Sequence, residues 1–464
     1  MADAHTETRT HSRSGPTIWS LIAFGSPGVA ATLLISPVYS ILPTYYAMNT
    51  NVTLAQIGVV FLVARIADAF TDPLVGVLSD RTRSRLGARL PWMIAGAVMA
   101  VPSAFLLFLP PGNATAIYFF IWSFLAMSAW TLLSIPHNAW AAELTDDYDE
   151  RSRIFGIKNA MATLGGFAFF LLPPILAPFT GTTEIEGSVM LAFVIVLAVL
   201  IPLSVVWASF KAPIKSTETK ASMPPSSLWT VFRSFKTNKP FVNFFAVSTI
   251  SGIAVGMTST LSFLYIQDYM QLGAYFFVIG VLAPVVAIIS VPFWLRVSRR
   301  YSKHKAWSVG MGISGSLGLF ILLLEPGPQA LIPLLVLTGV SAVMQGALIP
   351  LPPSILGDVA DYEAWKENTN ATGNYFAILV LMAKVTAAVG SSLALLISGA
   401  LGYIPNTDSP EAWALLIPLA VIPFFLQMIA AVISWYFPID RRRQATIAKR
   451  LEQRKKRALA ATVS

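Results

Sequence analysis

Cysteine is absent from this chain of 464 residues, and charged side chains are scarce. Without thiols the chain can form no disulfide, no thiolate metal site and no cysteine nucleophile. Charged residues make up 12% of the sequence and hydrophobic residues 55%, with a mean hydropathy of +0.66. A water-soluble domain of this composition would lack the polar residues needed to cover its surface. The composition therefore predicts an integral membrane protein.

Motifs that supply chemical energy or catalysis are also missing. The sequence contains no G-x-x-x-x-G-K-[ST] loop for ATP phosphates, no H-E-x-x-H zinc motif and no nucleophile elbow. We therefore expect no enzymatic activity and an energy source other than ATP. A membrane transferase is an alternative, but it would need a constellation of catalytic groups at one interface, and none is visible. A channel or a sensor is a weaker alternative.

Long apolar runs account for most of the chain. A helix that crosses the hydrocarbon core needs about 20 mostly apolar residues, and twelve stretches reach that length. They lie near 18–47, 54–79, 91–109, 114–142, 154–178, 188–210, 241–269, 274–295, 306–324, 329–351, 374–402 and 412–437. The sequence thus predicts an all-α membrane protein with twelve transmembrane helices joined by short turns.

Lysine and arginine are confined to alternate turns. Odd-numbered turns such as NTNVT and YIPNTDSPE contain neither, whereas even-numbered turns and the segment RRRQATIAKRLEQRKKR carry most of the 32. Because cytoplasmic loops are rich in Lys and Arg, we expect both termini in the cytoplasm and the protein in the plasma (bacterial inner) membrane. The net charge of +9 then reflects topology and contact with anionic lipids rather than nucleic-acid binding.

A hydrophilic stretch divides the twelve spans into six and six. Basic turns follow the second and eighth spans, and the acidic segments AELTDDYDERSR and LGDVADYEAWKEN follow the fourth and tenth. This repeat predicts two pseudo-symmetric six-helix bundles with the substrate path at their interface, near the midplane. The expected segments are a cytoplasmic tail at 1–17, bundles at 18–210 and 241–437, a central loop at 211–240 and a basic cytoplasmic tail at 438–464.

Ionisable residues interrupt the apolar second span. Arg65, Asp68 and Asp72 occupy positions i, i+3 and i+7, so they share one helix face, with Thr71 at its edge. Because a charged residue at the centre of a lipid-facing helix costs about 2.5–3.5 kcal/mol, this face is predicted to point into the protein. Two ionised carboxylates one helical turn apart repel each other unless a proton or a metal cation joins them.

Oxygen ligands suit a hard cation such as Na⁺, and four side chains are predicted to bind it. These are Asp68, Asp72, Thr71 and Thr131. The alternative is structural, with Arg65 neutralising Asp68 and with Asp72 forming a packing contact ahead of Pro73.

Two segments resemble the markers of one transporter family. GVLSDRTRSRLGAR is similar to the G-x-L-x-D-R-x-G-R loop of the major facilitator superfamily. The longer DAFTDPLVGVLSDRTRSRLGARLPW and the second-half segment DVADYEAWKENTNATGNYFAILVLMAKVTAAVG resemble the glycoside-pentoside-hexuronide:cation symporter branch. The resemblance implies the major facilitator fold and cation-coupled symport by alternating access, with no cofactor besides the transported Na⁺ or H⁺.

The resemblance also implies roles for single residues. Asp68 and Asp72 match the family's two acidic cation ligands, Thr71 stands where a relative has Asn, and Thr131 matches a hydroxyl near that site. Lys384, about ten residues into the eleventh span, matches the family's lysine. Its ammonium could reach the carboxylate pair from the second bundle, bind an anionic or hydroxyl-rich substrate, or be satisfied by helix carbonyls.

Sugar recognition is where the sequence departs from the family. The acids that hold galactosyl hydroxyls in a relative fall at Ser26 and Ser134, and an arginine of the fifth span falls at Asn159, beside Lys158. Galactosides are therefore poor candidates. The other residues expected near the substrate are Arg65, Lys384, Trp130, His137, Asn138, Trp140, Tyr265 and Asp268. Aromatic rings can stack on sugars, but membrane Trp and Tyr more often serve packing or the interfacial belt.

The loop after the second span is predicted to form a cytoplasmic gate that latches one conformation. Positive-inside anchoring is the alternative for its arginines. The predicted gate comprises Gly76, Asp80, Arg81, Arg85, Gly87, Arg89, Glu143, Arg151, Asp358 and Asp361.

These observations predict a secondary active transporter that works as a monomer. It would couple a small organic solute, such as a sugar, glycoside or uronide, to Na⁺ or H⁺. A lipid or lysolipid carrier of the same fold is the alternative, because the pocket lacks the sugar-binding acids.

Overall fold

Helices form all the regular structure in the part of the chain that the computed structural model describes, which is residues 17–145, 148–211, 235, 238–367, 372–407 and 411–463. Twelve of these helical stretches are long and apolar enough to cross a membrane. The predicted number of spans is therefore confirmed. The fold is the predicted pair of six-helix bundles.

The first six spans lie on Ile18–Ser40, Leu54–Arg81, Leu90–Phe108, Ala116–Glu143, Tyr148–Thr180 and Gly187–Lys211. Spans 7 to 12 lie on Lys239–Tyr269, Gly273–Arg300, Lys303–Leu323, Pro328–Lys366, Thr372–Ala400 and Ala412–Trp435. A short helix, Leu42–Asn49, follows span 1, and a final helix, Arg441–Val463, follows span 12. The predicted tail at 1–17 and central loop at 211–240 lie almost wholly outside the described residues, so their bounds stay predictions.

Polar residues at helix starts explain where several spans begin. Thr53 and Gln56 form a capping box at the start of span 2, in which each side chain accepts a backbone N–H of the other, at 3.3 and 3.0 Å. Thr115 caps span 4 and Asn238 caps span 7 in the same general way. These side chains satisfy backbone donors that a helix leaves free at its first turn.

Spans 1, 5 and 10 differ most from the predicted bounds, and span 5 begins at Tyr148 rather than near residue 154. Span 1 ends at Ser40 rather than near residue 47: the helix is interrupted at Ile41, and a separate short helix begins at Leu42 with Pro43 in its first turn. Span 10 was predicted to end near residue 351, but helix resumes at Leu351 and continues to Glu367. Two prolines follow Leu351 in its first turn, where a missing N–H costs nothing.

One end of the molecule is rich in basic residues and the other is not. Because the spans alternate in direction, Arg81, Lys211 and Arg300 all lie at one end, called here the basic end. The other is called the opposite end, and it includes the turn after Ala400. This arrangement reproduces the charge alternation that the sequence shows.

The two bundles pack together at the opposite end. One continuous core there combines residues of both bundles, whereas the described basic end holds two separate cores, one in each bundle. Glycines make the junction close: a Cβ built on Gly399 of span 11 would lie 2.5 Å from the backbone nitrogen of Ala55 in span 2. A Cβ on Gly58 would lie 2.9 Å from the backbone nitrogen of Leu396. The described structure is thus closed at the opposite end.

We predict that Gly399→Val keeps the bundles apart at the opposite end, because its side chain would overlap the backbone of span 2. The natural absence of cysteine allows a clean readout with a Ser392→Cys reporter, whose wild-type serine is fully buried at this junction. A membrane-impermeant maleimide should label the reporter several times faster in the Gly399→Val background. Gly318→Val is the control, since a Cβ at Gly318 meets no atom within 4 Å. Equal labelling rates in the two backgrounds would contradict the prediction.

Candidate functional site

Span 2 carries an ion pair within its own helix. Arg65 donates from Nη1 to Oδ2 of Asp68 at 2.9 Å, and the two side chains are only 10% and 6% exposed. The guanidinium also lies over the ring of Tyr39 in span 1, 4.7 Å from its centroid. The charged face of span 2 therefore points into the protein here, because burial at this depth needs a partner for each charge.

Asp72 forms a second ion pair, and this one joins the two bundles. Lys384 of span 11 donates from its ammonium to Oδ2 of Asp72, while Thr131 of span 4 donates to Oδ1 at 2.9 Å. The ammonium lies 4.5 Å from the ring centroid of Trp130. The Lys384 and Asp72 side chains are each 20% exposed, more than the Arg65 pair. One carboxylate thus links three helices across the bundle interface.

Several polar atoms around these pairs are buried without a hydrogen-bond partner among the described residues. They are Tyr39 Oη, Arg65 Nε, Asp68 Oδ1 and Thr71 Oγ1. Buried polar groups are normally satisfied, so orphans clustered on neighbouring residues suggest a bound species. Asp68 Oδ1 and Thr71 Oγ1 are oxygens that could accept a cation or a water.

The predicted cation ligands therefore lie together. Asp68, Asp72 and Thr71 share span 2, and Thr131 contacts Asp72 directly. The described residues contain no group of three or more acidic or histidine side chains placed to hold a metal ion. Two carboxylates supplemented by hydroxyls suit a monovalent cation or a proton better than a divalent metal, which draws on more charged ligands.

His137, predicted near the substrate, binds span 1 instead. Its Nε2 lies 2.8 Å from the carbonyl oxygen of Phe24, so this nitrogen carries the proton and donates. The ring is buried and packs 4.7 Å from the Phe24 ring, and Trp140 meets the same phenyl edge-on at 5.3 Å. In the described structure both His137 and Trp140 pack against Phe24, and packing is the alternative role given above for membrane Trp.

Other predicted substrate residues spread over spans 4 and 5. Ser134 and Lys158 are half-buried, whereas Asn138 and Asn159 are exposed. The backbone of Lys158 approaches span 1, since a Cβ on Gly25 would lie 3.4 Å from its Cα. No described contact joins these four side chains to the ion pairs on span 2.

Tyr265 and Asp268 lie at the opposite end, apart from the ion pairs. Asp268 accepts hydrogen bonds from the Tyr403 hydroxyl at 2.6 Å and from the backbone N–H of Asn406 at 2.9 Å. The amide of Asn406 donates to the carbonyl of Met48 in the first bundle at 3.1 Å. Lys384 is sixteen residues before Ala400, or about 24 Å along the helix, so this network belongs to the closed junction.

Burial and the Asp268 hydrogen bond together raise the pKa of Tyr403 above its ordinary value. The phenol therefore stays protonated and keeps donating to the carboxylate. Neither Tyr403 nor Asn406 was predicted from the sequence, because both lie in a turn without charge or motif. The only available signal was the polar turn that follows span 11.

At the basic end, Arg89 is the centre of the predicted gate. It contacts Asp80 and Glu143, each at 2.5 Å, and donates to Ser79 Oγ at 2.9 Å. Burial alone would lower the pKa of Arg89, but the hydrogen bonds to Glu143 and Asp80 raise it above its ordinary value. The cluster ties the loop after span 2 to the end of span 4.

The remaining gate residues do not join this cluster. Arg81 and Arg85 are exposed, and a Cβ on Gly76 meets no atom within 4 Å. Gly87 has a φ of +87°, which favours glycine at that turn. In the second bundle, Lys303 pairs with Asp358 at 2.7 Å, and Asp361 accepts from Gln444 at 3.0 Å. The Arg151 side chain lies outside the described residues.

Twelve apolar spans in two six-helix bundles, with the Lys384–Asp72 ion pair across their interface, are the architecture expected of a membrane transporter of the major facilitator type. The sequence model described as MFS/sugar transport protein matches residues 23–441. The chain belongs to that family, as the sequence motifs predicted.

Three relatives illustrate the range of the family. The isoprimeverose transporter of Lactiplantibacillus pentosus is 26% identical, over 81% of this chain and 79% of its own. The glucuronide carrier protein homolog of Escherichia coli (strain K12) is 22% identical, over 89% and 91%. The sodium-dependent lysophosphatidylcholine symporter 1 of Xenopus tropicalis is 22% identical, over 96% and 92%.

A solved structure shares the fold at low identity. It is a bacterial homolog of the human lysosomal transporter Spinster, with a TM-score of 0.64, 14% identity, and coverage of 93% of this chain and 97% of that one. Because these relatives and this neighbour are all transporters, the expectation of a transporter rather than an enzyme is confirmed.

We predict that Arg89→Gln destabilises the protein by about 1–2 kcal/mol, since it leaves Asp80 and Glu143 without their shared cation. The size of the effect is limited because both acids are more than half exposed. The melting temperature of the purified protein should fall accordingly. Arg85→Gln, at an exposed arginine of the same loop, is the control and should leave the melting temperature unchanged. A similar loss in both variants would point to loop charge rather than to this cluster.

Proposed function

We propose that this protein is a cation-coupled symporter that carries a small organic solute by alternating access. The observation that supports this most directly is the Lys384–Asp72 contact, in which a cationic side chain of one bundle neutralises a carboxylate of the other. A carboxylate that holds the bundles together through a charge can release them when another cation takes that charge. Cation binding and bundle movement would then be coupled at the Asp72 carboxylate.

The coupling cation binds, in this proposal, at Asp68 and Asp72 with help from Thr71 and Thr131. The unpartnered oxygens Asp68 Oδ1 and Thr71 Oγ1 support a place for it beside the existing pairs. The cation is Na⁺ or H⁺, because either relieves the repulsion between two carboxylates one turn apart. Na⁺ requires hard oxygen ligands, which this set offers.

Alternating access is supported by the contrast between the two ends of the molecule. The bundles share a core at the opposite end and have separate cores at the described basic end. Under the positive-inside rule the basic end faces the cytoplasm, so this state opens inward. Rocking of one bundle against the other would break the Asn406–Met48 contact and form new contacts at the basic end.

The solute is proposed to be a sugar, glycoside or uronide that binds between the bundles. The named substrates of two relatives are of this kind. The site offers Trp130 and Tyr39 rings beside charged and hydroxyl groups, a combination suited to hydroxylated ligands.

A lysolipid carrier is the second candidate. It is favoured by the full-length similarity to a lysophosphatidylcholine symporter and by serines where sugar-binding acids are expected, at Ser26 and Ser134. Ser26 is buried and donates to the Ala23 carbonyl at 2.8 Å, so it offers little to a sugar.

The coupling proposal predicts that Asp72→Asn abolishes accumulation driven by a Na⁺ or H⁺ gradient. A neutral amide cannot take up the proton, and it holds Na⁺ or the Lys384 ammonium far less strongly than an ionised carboxylate does. The measurement is uptake into proteoliposomes with each gradient imposed separately. Exchange of labelled for unlabelled solute without a gradient should survive, since the path itself is retained. Glu186→Gln, at an exposed residue of the turn after span 5, is the control. Unchanged gradient dependence in Asp72→Asn would remove this site as the coupling element.

The substrate proposal predicts thermal stabilisation by pentosides, glycosides or uronides, because a ligand that binds only the folded state raises the melting temperature. The panel should include lysophosphatidylcholine and free choline as the competing class. Stabilisation by the lysolipid alone would select the second candidate.

A further inference from the structure

The Lys384 ammonium makes two described direct contacts with the first bundle. One is the Asp72 carboxylate, and the other is the indole of Trp130, whose ring centroid lies 4.5 Å from Nζ. Trp130 is adjacent in sequence to Thr131, which donates to the same carboxylate. Span 4 thus presents the Thr131 hydroxyl to Asp72 and the Trp130 ring to the Lys384 ammonium.

The two ion pairs of the site differ in how easily they can be separated. Arg65 and Asp68 are three residues apart on one helix, and both are more buried. Lys384 and Asp72 sit on different bundles and are each 20% exposed, so an incoming cation meets them more readily. A lysine ammonium is a compact charge on a flexible stem, whereas the guanidinium is held as a planar fork. Lys384, rather than Arg65, is therefore the basic side chain that an incoming cation can displace from its carboxylate.

Displacement creates a physical problem for the lysine. An ammonium that loses its carboxylate at a site only 20% exposed regains little hydration and is therefore destabilised. Tryptophan offers the most favourable aromatic face for a cation. Because the ammonium already lies over the indole, it can leave the carboxylate without a large change in the side chain.

We propose that the Trp130 indole is the second binding position of the Lys384 ammonium, occupied when an inorganic cation takes Asp72. Trp130 is then a positioning residue: it holds the displaced Lys384 ammonium and thereby favours cation binding at Asp72. The inference rests on the proposed function, since it requires a cation at Asp72. The other charges that face Asp72, Arg65 and Asp68 on its own helix, remain paired with each other throughout.

The test is a cation titration of the purified full-length protein. Its melting temperature is measured at increasing NaCl concentration and constant pH, and separately at decreasing pH in sodium-free buffer. The titration in which the wild-type protein shows saturable stabilisation is then used to compare the variants. Trp130→Leu should require about tenfold more cation for half of the stabilisation, because the displaced ammonium loses its cation–π partner. Trp130→Phe, which keeps an aromatic face, should lie between wild type and Trp130→Leu and remains informative if the leucine variant folds poorly.

The decisive comparison repeats Trp130→Leu in a Lys384→Met background, where no ammonium needs a second position. There the leucine change should leave the titration midpoint unmoved. An equal shift in both backgrounds, or no shift in either, overturns the inference and reduces Trp130 to packing. A wild-type protein with no saturable titration by either ion would instead overturn the proposed function itself, so the two failures are distinguishable.

Discussion

The structure depends on the requirement that every charge buried inside a membrane protein has a partner. Asp72 meets this requirement across the bundle interface, through Lys384, rather than within its own helix. A local partner such as the one that Asp68 has in Arg65 would neutralise the charge equally well, but it would carry no information between bundles. Asp72 could therefore be coupled to bundle movement because its partner, Lys384, lies in the other bundle.

Close packing and charge are divided between the ends of the molecule. At the opposite end, glycines bring backbones of the two bundles together and Asn406 adds one hydrogen bond between them. At the basic end, the described ion pairs of Arg89 and Lys303 each lie within one bundle. Glycine contacts are short-range and therefore close a junction fully or not at all. Ion pairs within a bundle stiffen it as a unit, which favours rigid-body movement.

Sequence reasoning found the elements whose physical signal is strong. Apolar length identified the spans, and the i, i+3, i+7 spacing placed Arg65, Asp68 and Asp72 on an inward face, as the structure shows. It could not anticipate which residues distant in sequence would meet, so the hydrogen bonds from Tyr403 and Asn406 to Asp268 were not predicted. Asp268 lies in a π-helical turn, Tyr265–Tyr269, whose altered hydrogen bonding leaves no pattern in the residues. The continuation of span 10 was not predicted either. Adjacent prolines usually follow the end of a helix, but here the two prolines after Leu351 lie in the first turn of a helix.

The last turns of span 10 have a mechanical consequence. Gln444 binds Asp361, and the Arg450 guanidinium lies 5.4 Å from the Trp365 ring centroid, so the final helix is fastened alongside the end of that span. When a rigid body rotates, displacement grows with distance from the axis. If the second bundle tilts as proposed, the fastened pair would convert a small rotation into a larger displacement of the final helix, where a fluorophore would report turnover in single molecules.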